Sequence, residues 1–427
     1  MAVAATVLHA DPITQSTEID FGRDVASRNL KGLATRSDGR ILPGPIFTDL
    51  SGPKLGDILW VIKPAGEHRF IVGTGPDGKV QEVTVNPTDL SYTVREIADV
   101  PETQAIAVHP LPGGRLLVGT SPTAAIYLVD ANGENLARVP LPADSVFDFL
   151  AQPDGTVLAA TGNPGKIYRI DLQQLEHAGL IGGTAGDEKF LAAKGVTIFG
   201  EIRDRNVRRL ARLADGRVIA GSSPKGNIYS FPAAGGAPMI LQENRDAEVV
   251  DLLPNDDGGF YAAVVTTPGD SSRLTRSESK SDSKEKEEPK PPFSGRSMIS
   301  RFPADGFPET VASRNNIALY RLARHENWLV MTAGELGDAF GYDPVVRRSL
   351  TFAGSSSAQL NDIAPLDHGR FVLLRNNAPG LAVMSFTEPS VRELETKRID
   401  LSQPSHLGGL RFARLRGIEP AELKIQV

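Results

Sequence analysis

The chain has 427 residues, a formal net charge of −6 and 40% hydrophobic residues. That apolar fraction supports a sizeable core, and the mild acidity argues against a general nucleic-acid binder, which needs a basic face to displace counterions. There is no cysteine, which excludes disulfides and thiolate metal sites, and no apolar run approaches the ~20 residues of a membrane helix. The 42 Gly and 31 Pro punctuate a chain of many turns, the composition of an all-β protein.

Residues 1–29 form an N-terminal segment. Its opening, MAVAATVLHADP, is apolar and rich in small residues up to Ala10 but lacks a basic n-region. It reads as a signal-peptide remnant or as a frayed terminus. Leu30 to Asp49 contains strand–SDG–strand and reads as an eighth partial blade or as a segment that closes a ring.

Beyond Asp49 the chain repeats itself. A Thr or Ser after a small residue recurs at Thr74 (FIVGTGPDGKVQEV), Thr120 (LLVGTSPTAAIYLV), Thr161 (VLAATGNPGKIYRI) and Ser222 (VIAGSSPKGNIYSF). Further copies stand at Thr266, Thr332 and Arg375. The successive spacings are 46, 41, 61, 44, 66 and 43 residues. Four of them lie near the roughly 40–45 residues of one four-stranded propeller blade. Within a copy, Val146 to Gln152 is a short apolar strand, and Pro153 to Gly155 is a tight turn in which Gly supplies φ > 0. TVLAAT is a buried second strand, GNPG turns again, and KIYRID is a third strand between two sheet faces. One such sheet cannot bury both of its faces alone, whereas a circle of them can. The prediction is a β-propeller over 30–403, with seven four-stranded blades or, alternatively, eight.

Two long loop insertions account for the two long spacings. Leu172 to Thr197 carries LIGGTAGDEKFLAAKG, read as a structured loop with one helical turn near Asp187 to Lys194. Its Gly182, Gly183, Gly186 and Lys189 do not have phosphate-loop spacing. The segment 271–292, SSRLTRSESKSDSKEKEEPKPP, is charged and nearly devoid of apolar residues, so a disordered loop is expected. Residues 404–427 leave the blade pattern and read as two strands, packed under the propeller or opening a further β-domain.

The motif DGxVLAGTxPxGxIYRID, seen over about Gly56 to Leu401, resembles bacterial propellers near the NHL and two-component-regulator groups. The resemblance implies fold rather than activity, because the matching positions are turns and core. Similar bacterial proteins often continue into a β-sandwich. WD dipeptides and the tryptophan-docking repeats of quinoprotein dehydrogenases are absent.

The chain carries few motifs that point to chemistry. The seven histidines form neither H-x-H nor H-E-x-x-H, and there is no G-x-S-x-G elbow. Gly354 to Ser357 reads as an outer turn. Asn255 to Gly259 resembles part of a calcium loop without its twelfth-position ligand. No cofactor and no metal site is expected. One constellation stands out when the first strands are aligned as VFDFLA, VRRLAR, VVDLLP, LYRLAR and LNDIAP. Their third positions alternate in charge: Asp148, Arg209, Asp251, Arg321 and Asp362. The same alignment places Ala105 in the second blade and Trp60 or Val61 in the first. These residues are expected to line the central channel, with Arg208 and Asn361 adding donors. They form either a structural ring of ion pairs or a polar funnel for an anionic or sugar-like ligand.

The leading expectation for function is a monomeric, non-catalytic scaffold, periplasmic or extracellular, that binds a protein or glycan through one loop face. A cytoplasmic location is the alternative. The competing function is a divalent-cation-dependent enzyme of the gluconolactonase or lyase type, using Asp148, Asp251, Asn361 and Asp362, against which Arg209 and Arg321 count.

Overall fold

A computed structural model describes residues 25, 29–266, 293–334, 337–352, 359–387 and 392–395. The expectations for 1–24, 271–292, Gly354 to Ser357 and 404–427 lie outside the described residues. No helix among the described residues is long and apolar enough to cross a membrane.

The chain folds into successive four-stranded antiparallel meanders. They span 58–99, 104–140, 145–201, 206–242, 247–315 and 319–352. A last one, 359–385, has three strands of its own and takes Ile46–Asp49 as its fourth, paired with Gly380–Ser385. Each first strand packs against the first strand of the next meander, and that of 359–385 packs against Ile58–Gly66. The first strands therefore form a closed circle, and the chain is a β-propeller.

The fold follows from where each apolar side chain can be buried. The core is divided into clusters, each lying between two neighbouring sheets. The repeated Ile-Tyr pair serves two clusters at once, because adjacent strand residues point to opposite faces. Ile126, Ile167 and Ile228 face the following sheet, whereas Tyr127, Tyr168 and Tyr229 face the preceding one. The three isoleucines are fully buried, which contributes about 1.5–3 kcal/mol each.

The repeated hydroxyl closes the turn between second and third strands. Thr74 Oγ1 donates to the Lys79 carbonyl at 2.9 Å and Thr161 Oγ1 to that of Lys166 at 3.0 Å. The Ala125 and Asn227 amides donate to Thr120 Oγ1 at 2.9 Å and Ser222 Oγ at 2.8 Å. In each case the hydroxyl holds the backbone five residues on, so a Pro-containing turn of fixed length recurs. Register corrects two markers. In 247–315 the equivalent position is Val264, opposite Val249, rather than Thr266. In 319–352 it is Ala333, opposite Leu319, rather than Thr332.

The segment Leu30 to Asp49 is divided between neighbours. Leu33–Arg36 pairs with Arg348–Phe352 and Ile41–Pro43 pairs with Leu33–Arg36, extending the 319–352 sheet outward. Ile46–Asp49 closes the ring as described. The segment therefore does not form a separate sheet facing both neighbours. The insertion of 145–201 holds the expected helical turn, Glu188–Ala192, capped by Asp187. It also holds a second helix, Leu172–Ala178, whose N-cap Asp171 accepts from the Gln173 and Gln174 amides.

Candidate functional site

Every first strand carries a β-bulge at the same place. In 145–201, Val146 opposes Thr161 and Asp148 opposes Ala160, leaving Phe147 extra. The extra residues elsewhere are Trp60, Ile106, Arg208, Val250, Tyr320 and Asn361. A bulge breaks the two-residue alternation and re-aims side chains. Each extra residue is partly exposed, while the residue before it is buried. The extra residues therefore face the opening inside the ring of first strands.

The residue after each bulge is the charged position read from the sequence. The register places Val61 and Ala107 there in 58–99 and 104–140. Ala105 is thus corrected, since it precedes the bulge; of the two alternatives in 58–99, Val61 holds the position and Trp60 is the bulge itself. One alignment of five motifs could not show this, because a bulge is a mismatch between two strands.

The aspartates join neighbouring sheets through backbone amides. Asp148 accepts from Phe149 N and, in the next sheet, from Leu210 N, both at 3.0 Å. Asp251 accepts from Leu252 N at 3.0 Å and Leu322 N at 2.7 Å. Asp362 accepts from Ile363 N and Ile62 N, both at 3.0 Å. Three carboxylates thus satisfy six amides on six first strands, which gives a physical reason for their spacing at every second sheet. The arginines between them bind carbonyls. Arg209 Nε donates to Val250 O at 2.9 Å and its Nη1 to Phe147 O at 3.3 Å. Arg321 Nη1 donates to Val250 O at 3.1 Å, and its Nε pairs with Asp362 Oδ1 at 2.9 Å. The expected ring of ion pairs is in this respect mostly a ring of charge-to-backbone hydrogen bonds, which are stronger than neutral ones.

Electrostatics follow from enclosure. Burial lifts the Asp251 pKa, against the pull of Arg321 and Arg209. Burial also acts on Asp362, but Arg321, Lys63 and the Ile62 amide outweigh it and the net shift is downward. Burial and then the like charge of Arg321 bring Arg209 down to about 10. Lys63, two residues past Val61, acts on both Asp251 and Asp362. It also lowers His109 on the neighbouring strand, though burial is the larger cause there. Three carboxylates therefore face three cations: Arg209, Arg321 and Lys63. Lys63 was missed from the sequence because it lies outside the aligned position.

At the mouth formed by the bulges, the arrangement differs. The Arg208 guanidinium lies 4.0 Å from the Phe147 ring centroid and donates to Glu248 Oε1 at 2.7 Å. Trp60 Nε1 lies over Gly75, and Phe147 over Gly162, so the mouth is on the side of the Pro-containing turns. Trp60 Nε1 and Asn361 Oδ1 are buried atoms with no hydrogen-bond partner. They stand on neighbouring first strands, and Asn376, at the end of the second strand of 359–385, bonds both Leu59 N and Leu59 O at 2.9 Å. Among the described residues, no group of three or more His, Asp or Glu is placed to hold a metal ion. Both oxygens of Asp148, Asp251 and Asp362 already accept backbone amides.

No family model and no curated protein matches this chain. Solved propellers share its fold. YCF48 bound to D1 peptide is 13% identical, with a TM-score of 0.54 over 81% of this chain and 98% of that one. Streptogramin B lyase is 10% identical, with a TM-score of 0.54 over 80% and 98%. The extracellular domain of the putative hybrid two component system BT4673 from B. thetaiotaomicron is 12% identical, with a TM-score of 0.51 over 79% of this chain and 39% of that one.

Proposed function

We propose that the chain is a non-catalytic, seven-bladed propeller of the NHL-like kind that binds a protein partner at the bulge-lined mouth. The observation that carries this reading is the pair of unpartnered atoms, Trp60 Nε1 and Asn361 Oδ1. A buried polar group without a partner costs about 1–3 kcal/mol, and such groups call for an explanation. One is a donor and the other an acceptor, on neighbouring strands. Both atoms are enclosed, so a peptide amide meets them as acceptor and donor only once the Trp60 and Asn361 side chains turn outward into the mouth. Phe147, Ile106 and Val250 add apolar surface around them. The D1 peptide on YCF48 is a precedent in a propeller of similar fold. An exported location belongs to the same reading, and the cysteine-free sequence is compatible with it.

In this reading Asp148, Arg209, Asp251, Arg321 and Asp362 line the channel as structural clips, and Arg208 and Asn361 belong to the ligand-facing mouth. The test is binding of the purified chain to an array of random 15-residue peptides, followed by solution affinities for the hits. Trp60→Phe keeps the ring and removes only the N–H. It is expected to weaken binding about 5- to 10-fold, the effect of one hydrogen bond, and Asn361→Ala to do likewise. No selected peptides, or hits indifferent to both variants, would overturn the reading. Chelator is expected to change neither binding nor melting temperature; a fall in both, reversed by Ca²⁺ or Mg²⁺, would favour the cation-dependent enzyme instead.

A further inference from the structure

The opposite end of the sheets carries a separate cavity. Between the turns of 247–315 and 319–352 lies a pocket of about 310 Å³, lined among others by Asn255, Arg301, Glu309, Arg324, Trp328 and Tyr342. That volume is at the small end of the roughly 300–1,000 Å³ typical of ligand pockets. Its guanidinium groups are already tied. Arg301 pairs with Asp257 at 2.6 Å, Arg324 with Asp256 at 2.8 Å and Arg347 with Glu309 at 2.7 Å. These contacts engage terminal nitrogens, and an arginine has five N–H donors. Each group thus has a carboxylate neighbour and keeps N–H donors to spare.

This lining favours one ligand chemistry. An anion would compete with carboxylates that already sit within 3 Å of every guanidinium. An apolar ligand would take the remaining guanidinium N–H donors out of water without giving them acceptors. A hydroxyl both donates and accepts, so a row of hydroxyls matches interleaved Arg and Tyr donors with Glu and Asn acceptors. The surroundings are amphipathic as well. Trp328 lines the pocket; Phe307, 92% exposed, lies just before the strand that opens at Glu309, and Val345, 74% exposed, shares the turn of Arg347. A pyranose has a hydroxyl edge and an apolar C–H face, and so meets both kinds of surface.

We propose that this pocket is a binding site for a neutral sugar, one or two pyranose rings in size. It is independent of the peptide reading, since it shares no residue with the bulge-lined mouth. The experiment is ligand-observed NMR of the full chain with glucose, galactose, mannose, N-acetylglucosamine and their common disaccharides, beside glucuronate and inorganic phosphate. At least one neutral sugar is expected to bind with Kd below about 10 mM, the weak end of useful affinity. Asn327 and Arg347 also line the pocket and lie in exposed turns. The double variant Asn327→Ala/Arg347→Gln is expected to keep the wild-type melting temperature and to lose at least about 10-fold in affinity. Three outcomes would overturn the proposal: no sugar binds, only glucuronate or phosphate binds, or the double variant binds sugar as wild type does. If the double variant does not fold, Asn327→Ala alone decides by the same affinity reading.

Discussion

Replacing Arg321 by alanine is expected to lower unfolding free energy by about 3–5 kcal/mol at pH 7, the usual cost of removing one partner of a buried pair. The magnitude rests on enclosure: the Arg321 side chain is 14% exposed and that of Asp362 4%. Arg321 is the largest charge holding Asp362 ionised and also the largest opposing the lift on Asp251. Its loss leaves two enclosed carboxylates short of a cation and the Val250 carbonyl with Arg209 as its remaining guanidinium donor. Adding Asp362→Asn should recover part of the loss, since the excess negative charge is gone while an amide oxygen still accepts one backbone N–H. Urea unfolding of the two single variants and the double variant gives the coupling directly. A cost under about 1 kcal/mol for Arg321→Ala would mean that water screens the pair as it does at a surface.

The same variant has a pH signature. The Asp362 pKa is lowered on folding, so its contribution is full above the unfolded value of about 3.9 and is lost as pH falls through the folded one. Asp251 acts in the opposite sense. Its raised pKa means that protonation relieves a burial cost, so its destabilising contribution fades as pH falls toward the unfolded value. Without Arg321 the first effect should shrink and the second grow. Between neutral pH and pH 4 the variant should therefore gain more than wild type as Asp251 protonates, and below about pH 4 it should lose less as Asp362 protonates; an unchanged profile below pH 4 would detach Asp362 from Arg321.

Much of the propeller was readable because its constraints are local. The hydroxyl that closes each turn and the Ile-Tyr pair that feeds two interfaces both lie within about ten residues of one another, so they leave a repeated phrase. The charged first-strand positions were also visible, for the same reason. What was hidden depends on pairing between distant strands. The bulges are a two-against-one count across a ladder, so Trp60, Phe147 and Tyr320 looked like ordinary strand residues, and Ala107 lost its place to Ala105. The division of Leu30 to Asp49 between two sheets rests on partners more than 300 residues away, such as Ala382 opposite Asp49. The sugar-sized pocket gathers strand and turn residues from two sheets with no common spacing. The helix Leu172–Ala178 did have a signal, Asp171 as N-cap and Gly179 just past the end, but at seven residues it is too short for periodicity to declare itself.

The small residue before each turn hydroxyl gives the other large expected effect. Gly73 precedes Thr74, Gly119 precedes Thr120 and Gly221 precedes Ser222. A Cβ on Gly73 would stand 2.3 Å from the Ala105 carbonyl oxygen, in the first strand of the next sheet. On Gly119 it would meet Val146 at 2.6 Å, and on Gly221 it would meet Val249 at 2.3 Å, again in the following first strand. The glycine is therefore where one sheet is crossed by its neighbour at backbone distance. At Gly73 the obstacle is main chain, which no rotamer change can move. Gly73→Ala is expected to cost about 3 kcal/mol, at the upper end for overpacking, and Gly73→Val more. Gly221→Ala should cost less, because the Val249 side chain has some freedom to shift. Gly182→Ala is the matched control: nothing lies within 4 Å of its Cβ position, so a change within about 0.5 kcal/mol is expected. Denaturant midpoints for the three alanine variants check the order. If Gly73→Ala proved as mild as Gly182→Ala, neighbouring sheets would have to separate freely at that crossing, and the close approach of 58–99 to 104–140 could not be a fixed feature of the ring.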